Sequence, residues 1–335
     1  MTRTKLAKLM VQVALAVLVL FFVGRQFYGA LQRDDLHSVQ WKPGWLVGST
    51  CVYLLGLGFS IWYWHRLLRV YGQRPRPLAS IRGYYLGNIA KYVPGKMLSL
   101  LVRGMSVRGP NVSLGAAILT SVYEVLTTMA SGAMIAALIL AFNPPTFRHW
   151  NFPISPAFAG AALLGACLLP LAPAVFNFMV ARTARKFPQI LFREVPKIDF
   201  RHLLEGLLAT SCSWGMMGLG VWMGLNAVLD EPLPFSLSLW ARLAGVNGLS
   251  YVGGFLFVFV PGGLGVREYI LSESLTFIEP EGHVVIAVIL LRLSWTIGEL
   301  LMAVAVKFLP VAAEPEATTS EENVSGPPLV HQAPL

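Results

Sequence analysis

The sequence predicts an all-α integral membrane protein, a polytopic helix bundle of seven to nine hydrophobic segments. Three observations lead there. Hydrophobic residues make up 55% of the 335 and charged residues only 13%, a balance that a single soluble core of this size cannot hide. The apolar residues gather into runs of about 20, the length that crosses a hydrocarbon core. The basic residues behind the net charge of +9 sit in short connectors between those runs, where Lys and Arg orient spans and meet anionic head groups. That placement accounts for the positive charge without nucleic acid.

The first element, within "MTRTKLAKLMVQVALAVLVLFFVG", has a basic start and an apolar run at 6–23 with no small-x-small cleavage site before Arg25. It reads as a retained helix, not a cleaved signal peptide. Six further spans follow at 44–64, 119–141, 157–180, 203–228, 238–260 and 284–308. Segments 82–104 and 262–278 are apolar but interrupted by Gly, Pro and charge. Each fits either a short helix dipping into the membrane or a compromised span. The membrane part is expected over 1–310. The tail at 311–335, rich in Pro, Glu, Ser and Thr, is expected to be disordered.

Loop charges set the orientation. Arg3, Lys5 and Lys8 precede the first span, Arg66, Arg69, Arg74 and Arg76 follow the second, and Arg182, Arg185, Lys186, Arg193, Lys197 and Arg201 crowd the loop after the fourth. The loop after the fifth carries Asp230 and Glu231. A cytoplasmic N-terminus and cytoplasmic basic loops, the arrangement expected in a plasma membrane, are mutually consistent if 82–104 returns to the side it came from.

The two interrupted segments share a Val-Pro-Gly: "AKYVPGKMLSLLVRG" at 90–104 and "FVFVPGGLGVREYI" at 257–270. Non-helical backbone at membrane depth leaves polar groups unpaired at several kcal/mol each, so it persists only inside protein or beside a polar path. Pro94 and Gly95 break the first; Pro261 with Gly262, Gly263 and Gly265 breaks the second. A helix restarting near Leu264 would offer free amides and a positive dipole end to an anion such as a lipid phosphate. Arg267 and Glu268 are adjacent and so point about 100° apart on a helix, each needing its own partner. In the first copy, Asn88, Lys91 and Lys96 flank the break, and Lys96, Ser99 and Arg103 fall on one helix face. A blander reading makes both breaks interfacial turns with snorkelling side chains. The cost of a carboxylate at depth argues against that for Glu268.

Other charges lie within the spans: Glu124 in "LTSVYEVLTTMASG", Arg292 and Glu299 on one face of the last span, and Arg242 at the start of the sixth, read as interfacial. Ionisable residues in spans face the interior and pair, marking either a transport path or a packing-fixing ion pair. The small-residue pattern "SWGMMGLGVWMGLN" at 213–226 suits close helix approach. Cys51, Cys167 and Cys212 show no ligand or disulfide spacing and read as buried thiols. No metal-ligand set, Walker loop or dinucleotide fingerprint is found, so no metal, cofactor or catalytic residue is assigned and an enzyme is not expected.

"GNIAKYVPGKMLSLLVRG", "SVYEVLTTMASG", "FVFVPGGLGVREYIL" and "LLRLSWTIGEL", in this order, resemble the lysylphosphatidylglycerol synthase transmembrane, or flippase-like, family over about residues 8–308. That resemblance implies a membrane domain moving lipids with charged or sugar-bearing head groups between leaflets. In better-known members an aminoacyl-lipid synthase domain follows; nothing here matches it, so lysyl transfer is not expected. Many relatives read Pro-Gly-Arg-x-Gly-Glu where this sequence has Lys96 for the arginine and Ser99 for the glutamate.

Three functions remain open on the sequence. The first is a flippase-like translocator, with Lys96, Arg103, Arg267 and Arg292 facing an anionic head group and Glu124, Glu268 and Glu299 balancing them. The second is a membrane partner of an envelope glycosyltransferase or other envelope enzyme. The third is an embedded lipid-modifying transferase using Glu124 or Glu268 as general base.

Overall fold

The structure, a computed structural model, describes residues 41–92, 96–142, 155–186, 197–256, 263, 265–278 and 281–308. The expected first span at 6–23, the tail at 311–335, and Pro94, Gly95, Pro261 and Gly262 lie outside the described residues, as does the Lys96 side chain. What is described is a bundle of α-helices: α1 (Pro43–Val70), α2 (Pro77–Ala90), α3 (Lys96–Val107), α4 (Leu114–Phe142), α5 (Pro156–Leu168), α6 (Pro173–Lys186), α7 (Phe200–Asn226), α8 (Leu237–Leu256), α9 (Val266–Ser274) and α10 (Glu281–Phe308). Prolines open α1, α2 and α5, where the missing amide would be unpaired anyway.

By length and apolarity, α1, α4 and α10 can each cross a membrane, and the α5–α6 pair makes a fourth span if its two halves count as one. That pair corrects the expectation of an unbroken span at 157–180. The chain bends by 52° there, because Pro170 and Pro173 deny the helix two amides and crowd the preceding turn; a 3-10 turn, Leu169–Leu171, fills the bend. Helices α7 and α8, of 27 and 20 residues, cover 203–226 and 238–256 of the two other expected spans, but are not among the described helices long and apolar enough to cross a membrane.

The 82–104 segment is a helical hairpin. A β-carbon on Gly83 would lie 3.0 Å from Val107, and one on Gly87 would lie 3.0 Å from Arg103 Cβ and 3.1 Å from the Ser99 carbonyl oxygen. Advancing along α2 thus means retreating along α3, so the two run antiparallel with backbones close. Their 14 and 12 residues reach about 21 and 18 Å at 1.5 Å per residue, short of the roughly 30 Å of a hydrocarbon core.

The second broken element has the same form. The Arg242 guanidinium stacks 3.5 Å over the Phe277 ring, while Gly253 faces Ile270 and Gly254 faces Arg267 and Gly263, so α8 and the nine-residue α9 are antiparallel. Gly263 and Gly265 have φ of 69° and 81°, values that glycine adopts freely and other residues rarely.

The hairpins enter from opposite ends of the bundle. At one end, the close of α1 meets the start of α7, with Tyr63 Oη donating to the His202 carbonyl at 3.1 Å; Arg74 N–H bonds Asn111, and Arg82 Nε donates to the Val306 carbonyl at 2.9 Å. The α2–α3 hairpin opens here. At the other end, Lys42 Nζ donates to the Leu229 carbonyl at 2.7 Å and His283 lies 3.9 Å from Asp230; the α8–α9 hairpin opens there.

Between them the core packs around Trp64, Trp214 and Trp295, whose indole N–H groups donate to Thr120, Ser131 and Ser49 respectively. The 213–226 pattern performs as expected: a β-carbon on Gly218 would sit 2.7 Å from that of Ala244, and one on Gly220 3.0 Å from Trp295. The reading of the cysteines as buried is corrected. Cys51 and Cys212 are exposed and Cys167 half-buried, because the apolar outer face of a membrane bundle is built from the same residue types as its core.

Candidate functional site

The site lies between the α2–α3 and α8–α9 pairs, and is built from three ion pairs, two buried and one part-buried, and a fourth cation. Arg103 of α3 reaches α4, its Nη1 donating to Glu124 at 2.6 Å. Tyr84 Oη and Thr128 Oγ1 donate to the other oxygen of Glu124, each at 3.2 Å, while the guanidinium stacks 4.0 Å over the Tyr84 ring. At the end of α2, Lys91 Nζ donates to Glu299 of α10 at 2.6 Å. Glu299 also accepts from Tyr53 Oη of α1 and, at 3.3 Å, from Tyr92 Oη. One α10 face thus serves both hairpins, since seven residues earlier Arg292 Nε donates to Glu268 of α9 at 2.6 Å.

The neighbours Arg267 and Glu268 take separate partners, as their angular spacing requires. Glu268 turns toward Arg292 and, with its second oxygen, accepts the Gly265 N–H at 2.6 Å. That contact changes the expectation for the helix start: α9 begins at Val266, and its own carboxylate, not an external phosphate, occupies the Gly265 amide. Arg267 instead lies with its guanidinium carbon 4.0 Å over the Tyr251 ring, its methylenes against Gly254 and Gly263. No carboxylate is within ion-pair distance of it among the described residues, and its Nε–H has no hydrogen-bond partner. Arg103 Nε is also without one. Buried donors are seldom left this way. The side chains concerned are 7% and 3% exposed.

A cavity of about 180 Å³ lies between the two hairpins, well above the roughly 10–15 Å³ that admits one water. Its polar lining is Asn88, Lys91, Ser99, Arg103, Tyr251 and Arg267. Three of these are cations and none is a carboxylate. Leu100, Val125, Gly254, Phe255 and Gly263 complete the described lining; Leu100 and Val125 are partly exposed and Phe255 is exposed. A smaller chamber of about 40 Å³ lies deeper, sharing Asn88, Lys91, Arg103 and Tyr251 and adding Tyr53, Ser60, Tyr84, Glu124 and Thr128.

Of the residues expected at a polar path, Asn88, Lys91, Ser99, Arg103, Gly263 and Arg267 line the cavity. Glu124 stands in the inner chamber. Glu268, Arg292 and Glu299 form the ion pairs behind the wall, and Gly265 caps α9. Arg242, expected at the interface, is part-buried against Phe277 away from the cavity. The tyrosines Tyr53, Tyr84, Tyr92 and Tyr251 were missed. Their signal was present: in "GYYLGNIAKY" aromatic hydroxyls stand beside the charges, and a carboxylate buried among helices needs donors.

The family model for the lysylphosphatidylglycerol synthase TM region matches residues 9–303. The chain belongs to this family. The match embraces both hairpins and all three ion pairs, and makes the bundle a membrane domain of a kind concerned with lipid handling. No curated protein matches the chain.

Proposed function

We propose that this chain binds the anionic head group of a membrane lipid between its hairpin tips and carries it from one leaflet to the other, a flippase-like activity with no covalent step. The observation that carries this reading is the cavity whose lining, among the described residues, has three cations and no carboxylate, set between hairpins that enter from opposite ends. Broken helices meeting midway are a recurrent way to build a substrate site reachable in turn from either side. Movement of the α2–α3 pair would expose the head group toward one end, and movement of the α8–α9 pair toward the other. Acyl chains stay in lipid, passing Leu100, Val125 and Phe255 at the cavity edge.

Each charged residue has a task in this scheme. Arg267, with no carboxylate partner among the described residues, is the primary anchor for the anion. Lys91 has two donors beyond the one given to Glu299, and Arg103 has its spare Nε–H. Glu124, Glu268 and Glu299 compensate Arg103, Arg292 and Lys91; a buried charge deprived of its partner typically costs several kcal/mol. The same pairs speak against the transferase alternative: both candidate general bases are held by an arginine at 2.6 Å.

The bundle is placed in the plasma membrane with its basic end cytoplasmic, and the N-terminus with it. Support comes from Arg66, Arg69, Arg74, Arg76, Arg108, Arg182, Arg185 and Arg201 clustering at one end while Asp230 and Glu231 mark the other. The test is leaflet transfer of fluorescent anionic lipid in vesicles holding the purified protein. Arg267→Ala should lower the rate about tenfold or more, since one charge-assisted contact is worth roughly that. An unchanged rate would sink the proposal.

A further inference from the structure

Resting on the head-group reading above, we propose that the cavity selects lipids whose head group is a phosphodiester with an uncharged remainder, and rejects those that carry an amine. Three cations, Lys91, Arg103 and Arg267, share the lining with neutral Asn88, Ser99 and Tyr251. A phosphate seated against Arg267 puts whatever follows it within a few bonds of all three. An ammonium there is repelled by each of them, and the low-dielectric surroundings screen that repulsion poorly.

An ammonium also brings three donors and no acceptor, and the carboxylates nearby are already engaged. Glu124 accepts from Arg103, Tyr84 and Thr128. Glu299 accepts from Lys91, Tyr53 and Tyr92. Glu268 gives one oxygen to Arg292 and the other to the Gly265 amide.

Ser99 is the position at which this selection can be altered. It lies on the cavity wall of α3, one turn before Arg103, with its hydroxyl donating to the Gly87 carbonyl at 2.7 Å. Ser99→Glu would add a carboxylate to the lining, and Ser99→Gln is its uncharged control.

The experiment measures binding and leaflet transfer of three fluorescent lipids by the full-length protein in phosphatidylcholine vesicles: phosphatidylglycerol, phosphatidylethanolamine and N-acetyl-phosphatidylethanolamine. The last keeps the ethanolamine size and removes its charge. Expected is a preference of about tenfold or more for phosphatidylglycerol and the N-acetyl lipid over phosphatidylethanolamine. Ser99→Glu should narrow the gap by improving the amine-bearing lipid, and Ser99→Gln should leave it. Equal handling of all three overturns the selectivity while leaving the head-group reading standing. Rejection of the N-acetyl lipid together with phosphatidylethanolamine makes size the criterion and also overturns it. Failure to bind any of the three overturns the head-group reading itself. If Ser99→Glu does not fold, the three-lipid comparison on the unaltered protein decides.

Discussion

Arg103 and Glu124, 3% and 1% exposed, show what a buried ion pair asks of its surroundings. Removing one partner leaves the other charge unpaired, which typically costs about 3–5 kcal/mol, whereas replacing both by apolar residues of similar size is often neutral. Glu124→Gln retains the acceptor for Tyr84 and Thr128, so it isolates the charge. It should lower the thermal unfolding midpoint in detergent markedly, and Arg103→Met combined with Glu124→Met should recover much of the loss. A double variant no more stable than the single one would show that the pair itself stabilises the bundle. Arg267 calls for the opposite expectation. With no carboxylate partner among the described residues, Arg267→Ala should leave the midpoint nearly unchanged while transfer falls. At this scale the sequence displayed the charges but not their matches. Arg292 and Glu299 share a face seven residues apart, yet one turns to Glu268 and the other to Lys91, and nothing local to α10 specifies either. The tyrosines escaped notice because a hydropathy scan counts their rings as apolar body and overlooks the hydroxyl that a buried carboxylate recruits.

The two Val-Pro-Gly breaks were the features most legible beforehand, and for a physical reason. Pro and Gly in an apolar run break the helix wherever it lies, and a broken backbone must be sheltered by protein. Less legible was how tightly the arms close. Gly87 carries its hairpin: a methyl group there would press on Arg103 Cβ and the Ser99 carbonyl at about 3 Å. Gly87→Ala should destabilise by about 1–3 kcal/mol, the usual cost of overpacking, and displace Arg103 from Glu124. Its check is the unfolding midpoint alongside Glu124→Gln, where the two losses should fall short of additive because they act on one contact. Gly254→Ala should act differently, pushing on the Arg267 side chain and reducing transfer more than stability. An unaltered rate in that variant would mean Arg267 can shift without loss of function. The bend between α5 and α6 was equally written in Pro170 and Pro173, but an apolar stretch of span length conceals it from a hydropathy reading.

Viewed whole, the bundle has one end rich in arginine and one marked by Asp230 and Glu231, with a hairpin entering from each. In a variant freed of Cys51, Cys167 and Cys212, single cysteines at positions 74 and 230 should react with a membrane-impermeant thiol reagent from opposite faces, position 74 from the cytoplasmic side. Reaction of both from the same face would refute the assignment of the ends. What the sequence determined by itself was the solvent and the class of fold: composition demands a bilayer, run length demands helices, and proline with glycine in those runs demands breaks inside protein. Each of these follows from local chemistry acting over a few turns. Only the tertiary structure decided that the helices flanking each break pack antiparallel, that the two pairs face each other across a cavity, that three carboxylates are taken by three cations, and that Arg267 is left facing that cavity. Those outcomes depend on contacts between residues tens to hundreds of positions apart, as when Tyr53 and Lys91 both reach Glu299, and no local periodicity encodes which distant partner a buried charge will find.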